Sequence, residues 1–171
     1  MIAAHDRARA VLRALLLTCS TGFGLVQTAG AEDAELADRI EIGERIAEYA
    51  YRWDRKDAPA FAELFAPEGF LDWAIGGEVA ERRVTGRAAI TAYARKAFEE
   101  RLAGKQTRHH FSNLVFRELG ETRAVTEHVV LVTHGSNGQP PVPTATGYYR
   151  IEWEKQVGEW LMARRTLFLD R

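Results

Sequence analysis

Two imidazoles stand side by side in Thr107-Arg108-His109-His110-Phe111, at the mouth of an apolar, strand-like run. Successive side chains on a strand point to opposite faces, so at most one of the pair can look into a given cavity. A neutral imidazole is a suitable general base near pH 7. A carboxylate bonded to one ring nitrogen fixes its tautomer and stabilises the imidazolium once a proton is taken. Such a base removes a proton beside a carbonyl or leaving group. A second donor then protonates the departing oxygen or holds a developing enolate. Asp54 can supply the carboxylate, and Tyr49 and His134 are candidate second donors. Each has a structural use as well. Asp54 fits a charge-rich helix terminus, Tyr49 shares a helix face with Ile46, Ala50 and Trp53, and His134 meets a Gly-Ser-Asn-Gly loop. His110 could equally be a hydrogen-bonded strand histidine. His109 and His128 read as surface or outer-face residues.

The elements that must position these groups are legible as periodicities. Residues 34–54 place Leu36, Ile40, Ile46, Ala47, Ala50 and Trp53 mostly three and four apart, which predicts an amphipathic helix. Asp57 followed by Pro59 predicts an N-cap opening a short helix through Phe65, ended by Pro67-Glu68-Gly69. "FLDWAI" reads as a strand, Gly76-Gly77 as a turn, and Glu78–Val84 as a second strand. Gly86 introduces a helix that Gly104 stops. From His110 onward four strand candidates follow, separated by Gly120, the "GSNGQPPVP" loop and Gly158. Helices first and then a meander of strands predict an α+β fold with an antiparallel sheet.

Composition is that of a globular chain: 171 residues, 46% hydrophobic, 27% charged, formal net charge -1. That balance gives no nucleic-acid footprint. Arg7, Arg9 and Arg13 precede or enter an apolar run that closes on Ala29-Gly30-Ala31, the pattern of a secretory signal peptide. The expected division is a signal over residues 1–31 and one domain over 32–171, periplasmic or secreted, with no stable membrane insertion after cleavage. The run is short for a membrane span and carries Thr, Ser and Gln. Cys19, the single cysteine, would leave with the signal, so the mature chain would hold no disulfide and no thiol nucleophile. No HExxH and no glycine-rich phosphate loop is present, so neither a metal nor a nucleotide is expected.

The order of elements, with Trp53-Asp54-Arg55-Lys56-Asp57, Phe61–Phe65, Gly86-Arg87-Ala88-Ala89-Ile90 and Val157-Gly158-Glu159-Trp160, resembles the SnoaL-like group of the nuclear-transport-factor-2-like superfamily over about residues 34–171. The resemblance implies a strongly curved sheet wrapped over helices as a cone with one deep pocket. Among its enzymes the chain looks most like scytalone dehydratase, bile-acid 7α-dehydratase and hexachlorocyclohexane dehydrochlorinase. Those use an Asp at the end of the first helix and a His at the start of the first long strand, which fall here at Asp54 and His110. Tyr49 occupies the place of a tyrosine five residues before the Asp, and His134 that of a second histidine. Pocket tyrosines of the family fall at Trp53 and Trp73, and a pocket Asn falls at Arg150, which implies an anionic or halogenated group in the ligand.

Together these give an expectation: a cofactor-independent lyase or isomerase, dehydration favoured, acting on a hydrophobic small molecule through an Asp54–His110 dyad. Trp53, Phe65 and Trp73 would supply apolar wall. The alternative is a non-catalytic binding or assembly module on the same cone. Strand parity adds an expectation of its own. If the Arg150 face points inward, the Tyr149/Ile151/Trp153 stripe lies outside, where an aromatic stripe of that size marks a homo-oligomer interface, dimer or trimer. The opposite parity makes that stripe core.

Overall fold

The computed structural model describes residues 20–75, 78–79, 83–136 and 138–170. Arg7, Arg9, Arg13 and Cys19 of the expected signal, and the Gly76-Gly77 turn, lie outside the described residues. The chain divides into two compact units, with the second beginning at Ile40. In the first, the described residues are helical from Ser20 and carry an Arg39–Glu35 pair at 2.8 Å.

Helix α1 (Ser20–Asp54) buries Ile42, Ile46, Tyr49 and Trp53, four residues at spacings of three and four. Of the expected stripe Ile46 and Trp53 are buried, but Ala47 is exposed and Leu36 and Ile40 are more than half exposed; Ile42 and Tyr49 complete the inner face instead. The helix ends because Lys56 adopts φ 61, a left-handed stop that returns its N–H to the Trp53 carbonyl at 2.9 Å. Helix α2 (Ala58–Glu63) starts as expected, with the Asp57 side chain accepting from the Ala60 N–H at 3.1 Å. Helix α3 (Arg87–Lys96) continues through a π-helical turn, Ala97–Arg101, to Gly104 at φ 67. The Gly86-Arg87 pair that opens α3 pins it to the sheet. Gly86, at φ 82, donates its N–H to Gly69 O at 2.8 Å, and Arg87 Nε donates to Phe65 O at 2.7 Å.

The strands are β1 (Phe65–Ile75), β2 (Glu78–Val79), β3 (Val84–Thr85), β4 (Lys105–Leu119), β5 (Arg123–Ser136), β6 (Gln139–Gln156) and β7 (Glu159–Leu169). Their order is β2-β1-β7-β6-β5-β4, with β3 also on β1. Every pairing is antiparallel except β1 with β7. The fold is the expected α+β arrangement of helices on a mostly antiparallel sheet. Several boundaries differ, and in place of the expected Glu78–Val84 strand there are two short ones, β2 and β3, each paired with β1. β1 begins at Phe65 and absorbs Pro67–Gly69 through a register shift. β4 begins at Lys105, before the histidines. Most of the expected 135–143 loop is strand, with Pro141 and Pro143 beside β5.

The parity of β6 corrects one expectation. Tyr149, Ile151 and Trp153 are 3%, 2% and 2% exposed, so this stripe is core. The Trp153 indole N–H donates to Thr126 Oγ1 at 2.8 Å within that core. Arg150 therefore points outward, where it pairs with Glu127 at 2.9 Å. An alternating stripe of large apolar residues buries about 1.5–3 kcal/mol per side chain, which a single arginine cannot outweigh. Phe65 is fully buried against Phe61, with ring centroids 5.6 Å apart, so it belongs to the core.

Candidate active site

The Asp54 carboxylate sits where α1 stops, opposite the beginning of edge strand β4. It accepts three hydrogen bonds: from Thr107 Oγ1 at 2.7 Å, from the His109 backbone N–H at 2.9 Å, and from the His109 ring at Nδ1, 2.8 Å away. Thr107 and His109 are two apart on a strand and so share a face. The partner of Asp54 is therefore His109, and the expected Asp54–His110 contact is overturned. His110 lies on the opposite face, exposed, with Nε2 3.3 Å from Thr133 Oγ1. His109 and Asp54 keep only 7% and 9% of their side-chain surface. Burial raises the proton affinity of Asp54, but the His109 ring, the Thr107 hydroxyl and the His109 amide outweigh it and hold the carboxyl below its ordinary value. The Asp54 carboxylate accepts a hydrogen bond from Nδ1–H of His109, which fixes the tautomer and leaves Nε2 as the nitrogen with the free lone pair.

His109 lines a cavity of about 260 Å³ on the concave side of the sheet. Its walls include Trp53, Trp73, Tyr93 and Tyr149, and Tyr49 and His134 line it too. Of the expected site residues, Tyr49, Trp53, Trp73, His134 and Asp54 thus lie in or against one hollow, while His110, Arg150 and Phe65 do not. Burial pushes the Tyr49 phenol well above its ordinary value, so it stays protonated and able to donate. For His134, burial and the charges of Lys105 and Arg101 push the ring below its ordinary value, which keeps it neutral near pH 7.

Arg165 was not foreseen. It lies on β7 with Leu167 and Leu169 on the cavity side and is 3% exposed. Its guanidinium carbon is 5.0 Å from the Tyr149 ring centre, 5.6 Å from that of Trp73 and 5.8 Å from that of Tyr49. Nη1 donates to the Asp72 carbonyl at 3.3 Å, and Nε has no hydrogen-bond partner among the described residues. A buried arginine is rare enough that composition gives no signal for it. Alternation from Leu167 and Leu169 was the one clue. His128, expected at the surface or outer face, is also internal: 3% exposed, edge-on to Phe111 at 4.6 Å, and without a hydrogen-bond partner for either ring nitrogen among the described residues. Among the described residues, no group of three His, Cys, Asp or Glu side chains could hold a metal ion, and no helix is long and apolar enough to cross a membrane.

The SnoaL-like domain model matches residues 34–166. The chain belongs to the SnoaL-like family. No functionally curated protein matches it significantly. Among solved structures it is similar to an NTF2-like protein with a cystatin-like fold from Novosphingobium aromaticivorans. That likeness has 25% identity, covers 82% of this chain and 86% of the other, and gives a TM-score of 0.70. It is similar also to a candidate scytalone dehydratase from the same organism, at 26% identity, covering 82% and 89%, with a TM-score of 0.67. A Catenulispora acidiphila protein solved in complex with S-DNPA shares the fold at 22% identity, covering 79% and 95%, with a TM-score of 0.67. This SnoaL-like chain therefore has a fold that includes dehydratases and isomerases, with a carboxylate–imidazole pair on the wall of its concave hollow.

Proposed function

We propose that the chain is a cofactor-independent lyase or isomerase, dehydration favoured, with His109 as general base and Asp54 as the group that orients it. The observation that carries this reading is the buried His109–Asp54 contact at the wall of an aromatic cavity. Nε2 of His109 takes a proton from a carbon beside a carbonyl, and the electron pair moves onto the carbonyl oxygen. Arg165, with its unpartnered Nε–H, and the protonated Tyr49 supply positive charge and a donor for that oxygen. In the dehydration the pair returns, the β carbon–oxygen bond breaks, and the departing hydroxyl takes a proton to leave as water. That proton is the one His109 Nε2 took, given up by its imidazolium, while neutral His134, on the same inward face two positions along the β4–β5 ladder, hydrogen-bonds the departing oxygen. In an isomerisation the proton returns to a different carbon and nothing leaves.

The volume bears on the ligand. A cavity near 150 Å³ holds benzene, so about 260 Å³ suits a hydrophobic molecule of one or two rings. Export also belongs to the proposal, supported by the Ala29-Gly30-Ala31 pattern. Mass spectrometry of the N-terminus of exported protein would show Glu32 first, whereas retention of residues 1–31 would remove that part. So does homo-oligomer formation through the outer sheet face, carried now by Val129 and Tyr148, which are 43% and 38% exposed.

The test is turnover of a panel of one- and two-ring β-hydroxy ketones by the wild type, His109→Ala and Asp54→Asn. Loss in both variants supports the assignment. Equal turnover by all three would end the catalytic reading, and tight binding without turnover would favour a ligand carrier.

A further inference from the structure

A second hollow lies on the other side of the dyad. It is a groove of about 460 Å³ between the last turns of α1 and edge strand β4, lined by Ala50, Tyr51, Asp54, Arg55, Arg108 and the two histidines. Its charges are one-sided. Asp54 is the sole carboxylate in the lining, and its oxygens are already occupied by Thr107 and His109. Arg55 and Arg108 are exposed, and neither has a carboxylate partner among the described residues. Six other arginines, Arg39, Arg45, Arg52, Arg117, Arg150 and Arg164, have a carboxylate oxygen within 4 Å, whereas Arg83, Arg87, Arg95, Arg101, Arg123 and Arg165, like these two, have none among the described residues. The adjoining hollow does hold carboxylates: Glu48 is bound to Arg52, Asp57 caps α2, and Glu63 is exposed at the end of α2.

The two guanidiniums are also held. The Arg55 guanidinium lies over the Tyr51 ring at 5.2 Å, and Arg108 Nη1 donates to Thr107 O at 2.9 Å, leaving its other donors free. We infer that this groove binds an oxyanion, the phosphate or carboxylate end of a small molecule, between Arg55 and Arg108. Guanidinium forks match both groups bidentately, and the volume leaves space for an organic remainder beside Tyr51. The groove shares His109 with the concave cavity, but Arg55 and Arg108 do not line that cavity, so anion binding between them does not depend on turnover there.

Calorimetric titration of the full chain with inorganic phosphate and, separately, succinate, at constant ionic strength set with chloride, tests this. Saturable binding of either is expected, and the tighter of the two identifies the oxyanion class. Arg55→Gln and Arg108→Gln should each weaken it at least about tenfold, and the lysine variants, which keep charge without the fork, should fall between. The His110 ring resonances should shift on saturation. No saturable binding of either probe, or binding unchanged in both glutamine variants, overturns the assignment. Thermal melts of the variants guard against misfolding, and binding that survives alongside an inactive concave pocket would leave this site standing.

Discussion

His109 and His110 differ by one position and should differ by orders of magnitude. With a substrate from the panel, His109→Ala should lower kcat/KM about 10²–10⁴-fold, the usual worth of a positioned base, while His110→Ala leaves it near the wild-type value. Steady-state kinetics of the two variants side by side would check it, and a larger loss at His110 would return the dyad to its sequence-based form. The choice was legible in the chain, though in alternation and not in the histidines themselves. Thr107, His109 and Phe111 share one face, Arg108, His110 and Ser112 the other, and the phenylalanine marks the inner one. His128 gives a prediction about pH. Burial lowers its pKa from 6.5 to about 4, so between those values the unfolded chain binds the proton that the folded chain refuses. Its contribution to stability is therefore complete above the unfolded value and is lost as pH falls toward 4, on the order of 3 kcal/mol. Asp54, whose pKa is lowered from 3.8, loses its contribution only at still more acid pH. Urea unfolding across pH 4 to 7 should show a sloping acid limb, and His128→Leu should flatten it.

At the scale of elements, two backbone positions are decisive, one in a turn and one inside a strand. The β6–β7 hairpin turns on Val157 and Gly158, at φ 51 and φ 86, and Val157 is fully exposed. A β-branched residue in the left-handed region is strained, and its exposure means no packing offsets the strain. Val157→Asn should raise stability by about 1 kcal/mol, visible as a higher Tm. Gly147 has the opposite character. A Cβ there would strike the Phe168 carbonyl in the neighbouring strand, so Gly147→Ala must part β6 from β7 beside the cavity. A loss of about 2 kcal/mol or more is expected, read as a lower denaturation midpoint. The hairpin was legible as Val-Gly before a Glu-Trp strand. The role of Gly147 was not, because close approach of a neighbouring backbone leaves no mark in a single strand's pattern.

At the scale of the molecule, the outer sheet face joins two kinds of surface. Val129 and Tyr148, opposite one another on β5 and β6, form an apolar strip, in which Tyr148 stacks on Phe168 at 4.5 Å. Beside it Arg117, Glu127 and Arg150 form a ladder of alternating charge. Sedimentation should find a homo-oligomer that Val129→Lys and Tyr148→Lys dissociate, and a wild type that sediments as a monomer would dismiss the interface. The general α+β order was readable because helix and strand periods do not overlap. The closing pair of the sheet was harder, since β1 and β7 lie almost a hundred residues apart and parallel. That pairing has a consequence for how the chain is made. β1 finds its long partner only after the last strand has been synthesised, and the backbone of β1 has little else to bond with until then. The first helices must wait with their greasy sides uncovered, and non-local closure of this kind is slow. Clipping the final eleven residues, Arg165 among them, should therefore leave a product that neither matures nor stays in solution, even though Asp54 and His109 remain in it.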